Sequence, residues 1–559
     1  MRIRRPGRSK YVVQVILERT LTNRQTNFAA LLLFLLLTVV AAWPVVSNLN
    51  GVIIGLDNDV YINPWADWWT AKALTDPNLS FWYTNYLFYP NGASLVYHSF
   101  SHLNTVVSLG LRPFLGPLPA YNVTILLNLV LIGFSVFQLT RYLTKSTTAG
   151  ILAGIVLAFN SQIQYQTSHP VTFCVWCFPW MTLYLIRAAR ENSYRCAIIA
   201  AVFVFLGAAT GIHILILSGL WLALLLGYMF VSAEFPRPPW KILLTFGLSS
   251  FLLTLPLVFP LLREAVSNQN TSFVLNARDS VVTDLSSIFI PHWDEWNVRS
   301  MYLGIMPAGL FLFALWGIRQ RGKLWLLLVI ASFLFAIGPV PTIDGEELGI
   351  TLPWSLAVAP LLRNMYRMLL LFSFGWAMVV AYGWLSFKKT FRLGRRTTLL
   401  VGLFAAAAIY ADFTAVPFPT RPATVSPFYT DYLDDVPDDV ALAILPTGRQ
   451  EDKWYLYYQT IHKHPMTGGH ISRSETETYS FIRNNPLLRA GSVNLEPVPI
   501  PDDVEDSFRE LAEINVGYFI LDKMLMAQAG EDVEIWQAAI PFQPIYEDNF
   551  LLVYTTKTE

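Results

Sequence analysis

The chain has 559 residues, only three cysteines, little charge and no surplus of either sign: 39 Lys and Arg balance 39 Asp and Glu. Three cysteines do not make a disulfide framework, and a metal site would want more ligands. Cys174 and Cys177 stand as Cys-Val-Trp-Cys inside an apolar run, where small buried hydrophobes are the plain reading. A net charge of zero gives no overall basis for a nucleic acid or acidic partner. No Gly-rich phosphate loop is present, so nucleotide binding has no support, and no internal repeat is visible. Long apolar runs are missing after about Pro417, which marks 417–559 as a soluble part.

What the chain has in abundance is apolar residues, 54% of the total. Runs near or above the roughly 20 residues that cross a bilayer recur at 28–47, 119–141, 147–161, 171–187, 194–208, 212–232, 241–262, 300–318, 324–341, 366–387 and 397–416. These predict an α-helical polytopic membrane protein of about 11 transmembrane helices over 28–416, followed by a C-terminal soluble α/β domain at 417–559. The domain reading rests on a Pro-rich linker, Pro417 to Pro427, and on short β-like runs such as Val440–Leu445, Val516–Leu521 and Phe550–Thr555 alternating with amphipathic stretches.

Charge placement orients the spans. Residues 1–27 carry Arg2, Arg4, Arg5, Arg8, Lys10, Arg19 and Arg24, and the positive-inside rule puts this segment in the cytoplasm. Alternate later loops agree, from Arg141 and Lys145 through Arg187, Arg190 and Arg195 to Lys388, Lys389, Arg392, Arg395 and Arg396. An odd number of crossings then puts the C-terminal part on the extracytoplasmic face of a plasma membrane, together with the long first loop 48–118 and all eight histidines.

Within that loop, Gly55-Leu-Asp-Asn-Asp-Val-Tyr-Ile-Asn-Pro-Trp-Ala-Asp-Trp-Trp69 gathers Asp57, Asp59 and Asp67 at the membrane boundary. Partial desolvation there would raise a carboxylate's basicity towards that of a general base. Acidic triplets also serve as plain turns, and Asp57 and Asp59 could hold a divalent cation. Trp65, Trp68, Trp69, Trp82, Tyr83, Tyr86 and Tyr89 read either as an interfacial aromatic belt or as a sugar-binding wall. Arg363 and Arg367 break the positive-inside trend four residues apart, which suits convergence on one phosphate or anchoring at the headgroups.

Several of these residues fall in a larger pattern. Asp59, Asn63 and the pair Trp68-Trp69 are followed by Leu87-Phe-Tyr-Pro-Asn-Gly-Ala-Ser-Leu95 with His98 just after it. Next come Ala120-Tyr-Asn122, His169, Asp284 ahead of Ile290-Pro291, Tyr302-Leu-Gly304, and Arg363 with Arg367. Tyr457-Tyr-Gln-Thr-Ile-His462 and Gly468-Gly-His-Ile-Ser-Arg473 complete it. Over nearly its whole length the chain resembles a multi-span prokaryotic family of the GT-C superfamily, glycosyltransferases that use polyprenyl phosphate-linked sugars.

The resemblance implies an inverting glycosyltransferase acting on the extracytoplasmic side, with Asp59 as general base and Asp57 as the alternative. It implies a polyprenyl phosphate sugar donor whose leaving phosphate is stabilised by Arg363 and Arg367. Its acceptor would be a glycan, lipid or protein in cell-envelope glycan synthesis. Asn63, Trp65, His98, His102, His169 and Asp284 are further substrate-binding candidates. A transporter or flippase of lipid-linked glycans and a non-catalytic assembly protein are the rival readings. The missing repeat and the nearly charge-free spans count against transport.

Overall fold

The computed structural model describes residues 8–267, 282–289, 301–317, 322–353, 364–473 and 476–557. Among them, seven helices are long and apolar enough to cross a membrane: Asn23–Ala41, Pro117–Thr144, Pro170–Glu191, Ile212–Val231, Trp240–Val266, Met365–Thr390 and Arg395–Phe413. Four shorter apolar helices, Thr147–Phe159, Tyr194–Thr210, Ile305–Gly317 and Lys323–Ala336, overlap the other four runs expected to span. Thr147–Phe159 stops after 13 residues, about 20 Å at 1.5 Å per residue. Asn160 ends it by turning its Oδ1 onto the backbone N–H of Ile163, starting a new turn where the apolar run alone would continue.

Between helices with no hydrophobic drive to associate in lipid, small residues permit close approach. Phe34 seats against Gly133 and Gly154, where added Cβ atoms would lie 2.6 and 2.1 Å from its ring. Buried amides supply polar fastening. Asn122 accepts from Ile54 N and donates to Leu49 O and Val52 O, and Gln164 donates to the carbonyl of Phe413 at 2.6 Å. These bonds collect the first loop, the segment around 160–169 and the end of the last apolar helix at one end of the bundle.

The first loop is structured. Val52–Ile54 pairs antiparallel with Thr420–Pro422, so the chain leaving the first apolar helix is stitched to the chain leaving the last. The helix Ile62–Thr75 follows, then a short hairpin, Tyr83–Thr84 with Ala93–Ser94, and the helix His102–Leu115.

Beyond residue 440 a four-stranded sheet forms. Ala441–Leu445 runs parallel to Val516–Asp522, which pairs antiparallel with Leu551–Thr555, itself paired with Tyr546–Glu547. Both long strands are almost wholly buried. The helix Asp452–His462 leans against the first loop: the Tyr61 ring lies 4.3 Å from Trp454 at a tilt of 33°, and Gln459 accepts from Trp65 Nε1 at 2.6 Å while donating to Tyr86 O. Backbone bonds from Phe88 N to Gly468 O and from Met466 N to Tyr86 O extend the same seam.

Candidate active site

The acidic turn is held from three directions. Asp57 caps the 3-10 turn Asn58–Tyr61, its Oδ1 accepting from Asp59 N at 3.1 Å. Leu56 N donates to Ser168 Oγ at 2.8 Å, and Arg421 Nε donates to Leu56 O at 2.6 Å. Gly55 precedes it at φ +127°, a region that disfavours side chains, and a Cβ there would collide with Val60 and Ser168. The result fixes two carboxylates on one face of a short turn, aimed at the 160–169 segment.

Asp59 is the centre of the cluster. Its Oδ2 lies 2.9 Å from His169 Nε2, and its Oδ1 is paired with the Lys453 ammonium. Asp57 Oδ2 accepts from the Tyr165 hydroxyl at 2.7 Å and stands 3.5 Å from the same His169 nitrogen. Lys453 is 7% exposed and also donates to Gln450 Oε1 at 2.8 Å. Tyr366 and Arg367, at the start of Met365–Thr390, face the cluster closely enough for Arg367 to act on His169, and Asp57 and Asp59 on Tyr366. Among the described residues the Arg367 Nε, a buried atom, has no hydrogen-bond partner.

The expected raised basicity of Asp59 is not what this geometry produces. Burial does push its carboxyl up, but the His169 hydrogen bond and the charges of His169 and Lys453 outweigh burial and hold it well below the usual carboxylate range. His169 moves the other way: burial disfavours its cation, yet the Asp59 bond and both carboxylates raise it. Burial does raise another carboxyl of this loop, Asp67, which is pushed up to about 6 in spite of hydrogen bonds from Ser108 and Thr105.

Asp57, Asp59 and His169 have ligand atoms close enough to surround a metal ion. Spacing alone would admit a cation, but every carboxylate oxygen is already engaged, by Asp59 N, Tyr165, His169 or Lys453. A divalent ion would have to expel Lys453 from a buried contact. The donor set therefore does not fit a resident cation.

The other sequence candidates are dispersed. Asn63 stays beside the turn, its Nδ2 donating to Asp59 O at 3.5 Å. Trp65 is fully buried, stacked on Trp69 at 5.9 Å and bonded to Gln459, so its indole packs the seam and faces no open wall. His98 meets Trp65 edge-on at 5.5 Å, and burial pushes it down to about 3. His102 stacks on Phe100 at 5.7 Å. Asp284 accepts from Ser286 N, Asp344 N and Gly345 N, which makes it a loop clasp with its acceptors filled. Arg363 lies outside the described residues. A cavity of about 870 Å³ is lined by Trp82, Asn91, Arg263, Glu264 and Glu477, among others, and by none of the cluster.

Sequence reasoning missed Lys453 and Tyr165. The one available signal for Lys453 was an isolated cation opening the aromatic helix Asp452–His462.

No protein-family model matches the chain, and neither does any curated protein. Solved structures do. The mycobacterial arabinofuranosyltransferase AftD superposes with a TM-score of 0.58 at 18% identity over 89% of this chain. The archaeal oligosaccharyltransferase AglB from Archaeoglobus fulgidus, solved with an inhibitory peptide and a dolichol-phosphate, gives 0.52 at 11% over 90%. ArnT from Cupriavidus metallidurans gives 0.54 at 13% over 94%. The chain has the GT-C fold. It spans 35% of AftD, 70% of AglB and 97% of ArnT. A GT-C architecture accounts for the layout seen here, in which apolar helices support a structured first loop bearing acidic residues.

Proposed function

We propose that this GT-C protein is an inverting membrane glycosyltransferase that moves a sugar from a polyprenyl phosphate donor to an acceptor hydroxyl on the extracytoplasmic side. The observation that carries this is the paired carboxylate turn, fixed by Ser168 and Arg421, with the half-buried Arg367 acting on the His169 that touches both carboxylates. The dolichol-phosphate bound by the archaeal oligosaccharyltransferase supports a lipid phosphate as the leaving group. The positive-inside pattern supports the side of action and about eleven crossings.

In the proposed step the acceptor oxygen attacks the anomeric carbon while the bond to phosphate breaks, and the phosphate leaves with the electron pair. Arg367 offers that phosphate a charge-assisted bond. The hydroxyl proton passes to Asp59. A carboxylate this acidic suffices because glycosyl transfer runs through an oxocarbenium-like transition state: as the new bond forms, the attacking oxygen becomes strongly acidic and needs only a positioned acceptor. Lys453 and His169 keep Asp59 ionised and aimed until then.

Purified protein incubated with a panel of polyprenyl phosphate sugars should release or transfer sugar from at least one. Asp59→Asn should lower that rate by roughly 10²–10⁴-fold, the usual contribution of a positioned base, while the protein still inserts and folds. Full activity in Asp59→Asn would remove the base from the scheme.

A further inference from the structure

We propose that the Lys453 ammonium is the resident cation of the Asp57–Asp59–His169 cluster, taking the place that a divalent metal would otherwise occupy. The proposal deepens the glycosyltransferase reading by naming the source of positive charge at its acidic turn. Two carboxylates so close together repel, and something must neutralise them. Lys453 does so from the opposite end of the sequence: it opens the helix Asp452–His462, whose place against the first loop is fixed by the Tyr61–Trp454 ring contact and by Gln459 bridging Trp65 Nε1 and Tyr86 O. With Gln450 on its other side and 7% exposure, the ammonium is built into the seam and is not a surface side chain that swings in by chance.

The charge count points the same way. Asp57 and Asp59 bring two negative charges; the Lys453 ammonium and the His169 imidazole, 2.9 Å from Asp59, already stand against them, with Arg367 acting on His169. A divalent ion would overcharge this balance and would sit within a few ångströms of an ammonium that shares its ligand. With Lys453 removed, Asp59 Oδ1 is released and the Asp57, Asp59 and His169 atoms become a vacant set of hard ligands at workable spacing. Lys453 thus acts as a positioning residue through Asp59, and it also excludes metal.

The test is Mn²⁺ binding to the full-length chain in lipid nanodiscs, read as loss of the free-ion electron paramagnetic resonance signal, which needs no activity. Wild type and Lys453→Arg should bind no Mn²⁺ at the cluster. Lys453→Gln should acquire one Mn²⁺ per chain, lost again in Lys453→Gln/Asp59→Asn. In parallel, sugar transfer by wild type should survive chelation. Mn²⁺ binding by wild type that disappears in Asp59→Asn would overturn the proposal, as would abolition of wild-type transfer by chelator with rescue by Mn²⁺. Lys453→Arg carries the comparison if Lys453→Gln folds poorly: it preserves the charge, so acquisition of Mn²⁺ by this variant would also refute the idea. Absence of any sugar transfer would count against the glycosyltransferase reading alone, because the binding measurement stands without it.

Discussion

The Asp59–Lys453 pair lends itself to a double-mutant cycle. Charges at about 4 Å attract by about 4 kcal/mol at the effective dielectric of about 20 that suits partly buried sites. Asp59 is 30% exposed, so solvent screening should leave roughly half of that, about 2 kcal/mol, as net coupling. Asp59→Asn strands a buried ammonium, and Lys453→Met strands a carboxylate that retains only His169, so each single variant should lose stability. In Asp59→Asn/Lys453→Met neither charge is stranded. The double variant should be about 2 kcal/mol more stable than the sum of the singles requires, measured by reversible denaturant unfolding in mixed micelles. Losses that add to within about 0.5 kcal/mol would mean that the two groups do not sense each other, and the account of the site would fail.

Arg367→Ala should weaken binding of polyprenyl phosphate by about tenfold to a hundredfold, the range of one bond to a charged group, as read by titration calorimetry; unchanged affinity would remove Arg367 from the phosphate. Burial pushes the Asp452 carboxyl up to about 7 in spite of bonds from Gly469 N, Gly448 N and Thr447. The folded chain therefore keeps a proton that the unfolded chain loses near pH 4, and stability should fall by roughly 4 kcal/mol as pH rises from about 4 to about 7, then level off. Asp452→Asn should flatten that slope, and an unaltered pH profile would contradict the assignment. Gly154→Ala should cost about 1–3 kcal/mol by driving a methyl group into Phe34. Gly110→Ala, whose Cβ meets nothing within 4 Å, serves as its control and should be neutral or mildly stabilising in thermal unfolding.

The sequence exposed whatever depends on local pattern. Each of the eleven apolar runs overlaps an apolar helix, because a chain in lipid must satisfy its backbone internally and helices do so within one segment. The acidic turn was legible too, since its capping is set by residues two apart. What escaped was decided by distant contacts. Lys453 reaches Asp59 across most of the chain, and nothing in the neighbourhood of either residue announces the other. Trp65 shows the same limit in reverse: its aromatic cluster could face a ligand or a neighbouring helix, and only the docking of Gln459 places the indole in the interior. Basicity at Asp59 depended on counting cations delivered by other segments, which composition near the turn does not contain.

The ribbon joining Val52–Ile54 to Thr420–Pro422 has a consequence for biogenesis. The anchor beside the acidic turn is completed by Arg421, which is synthesised only after the final apolar helix. A ribosome still working through the middle of the message therefore carries a nascent chain whose acidic turn is not yet anchored. Copies cut short before that point would carry the acidic turn without its Arg421 anchor, so the turn is completed late, when the two ends of the helical body meet.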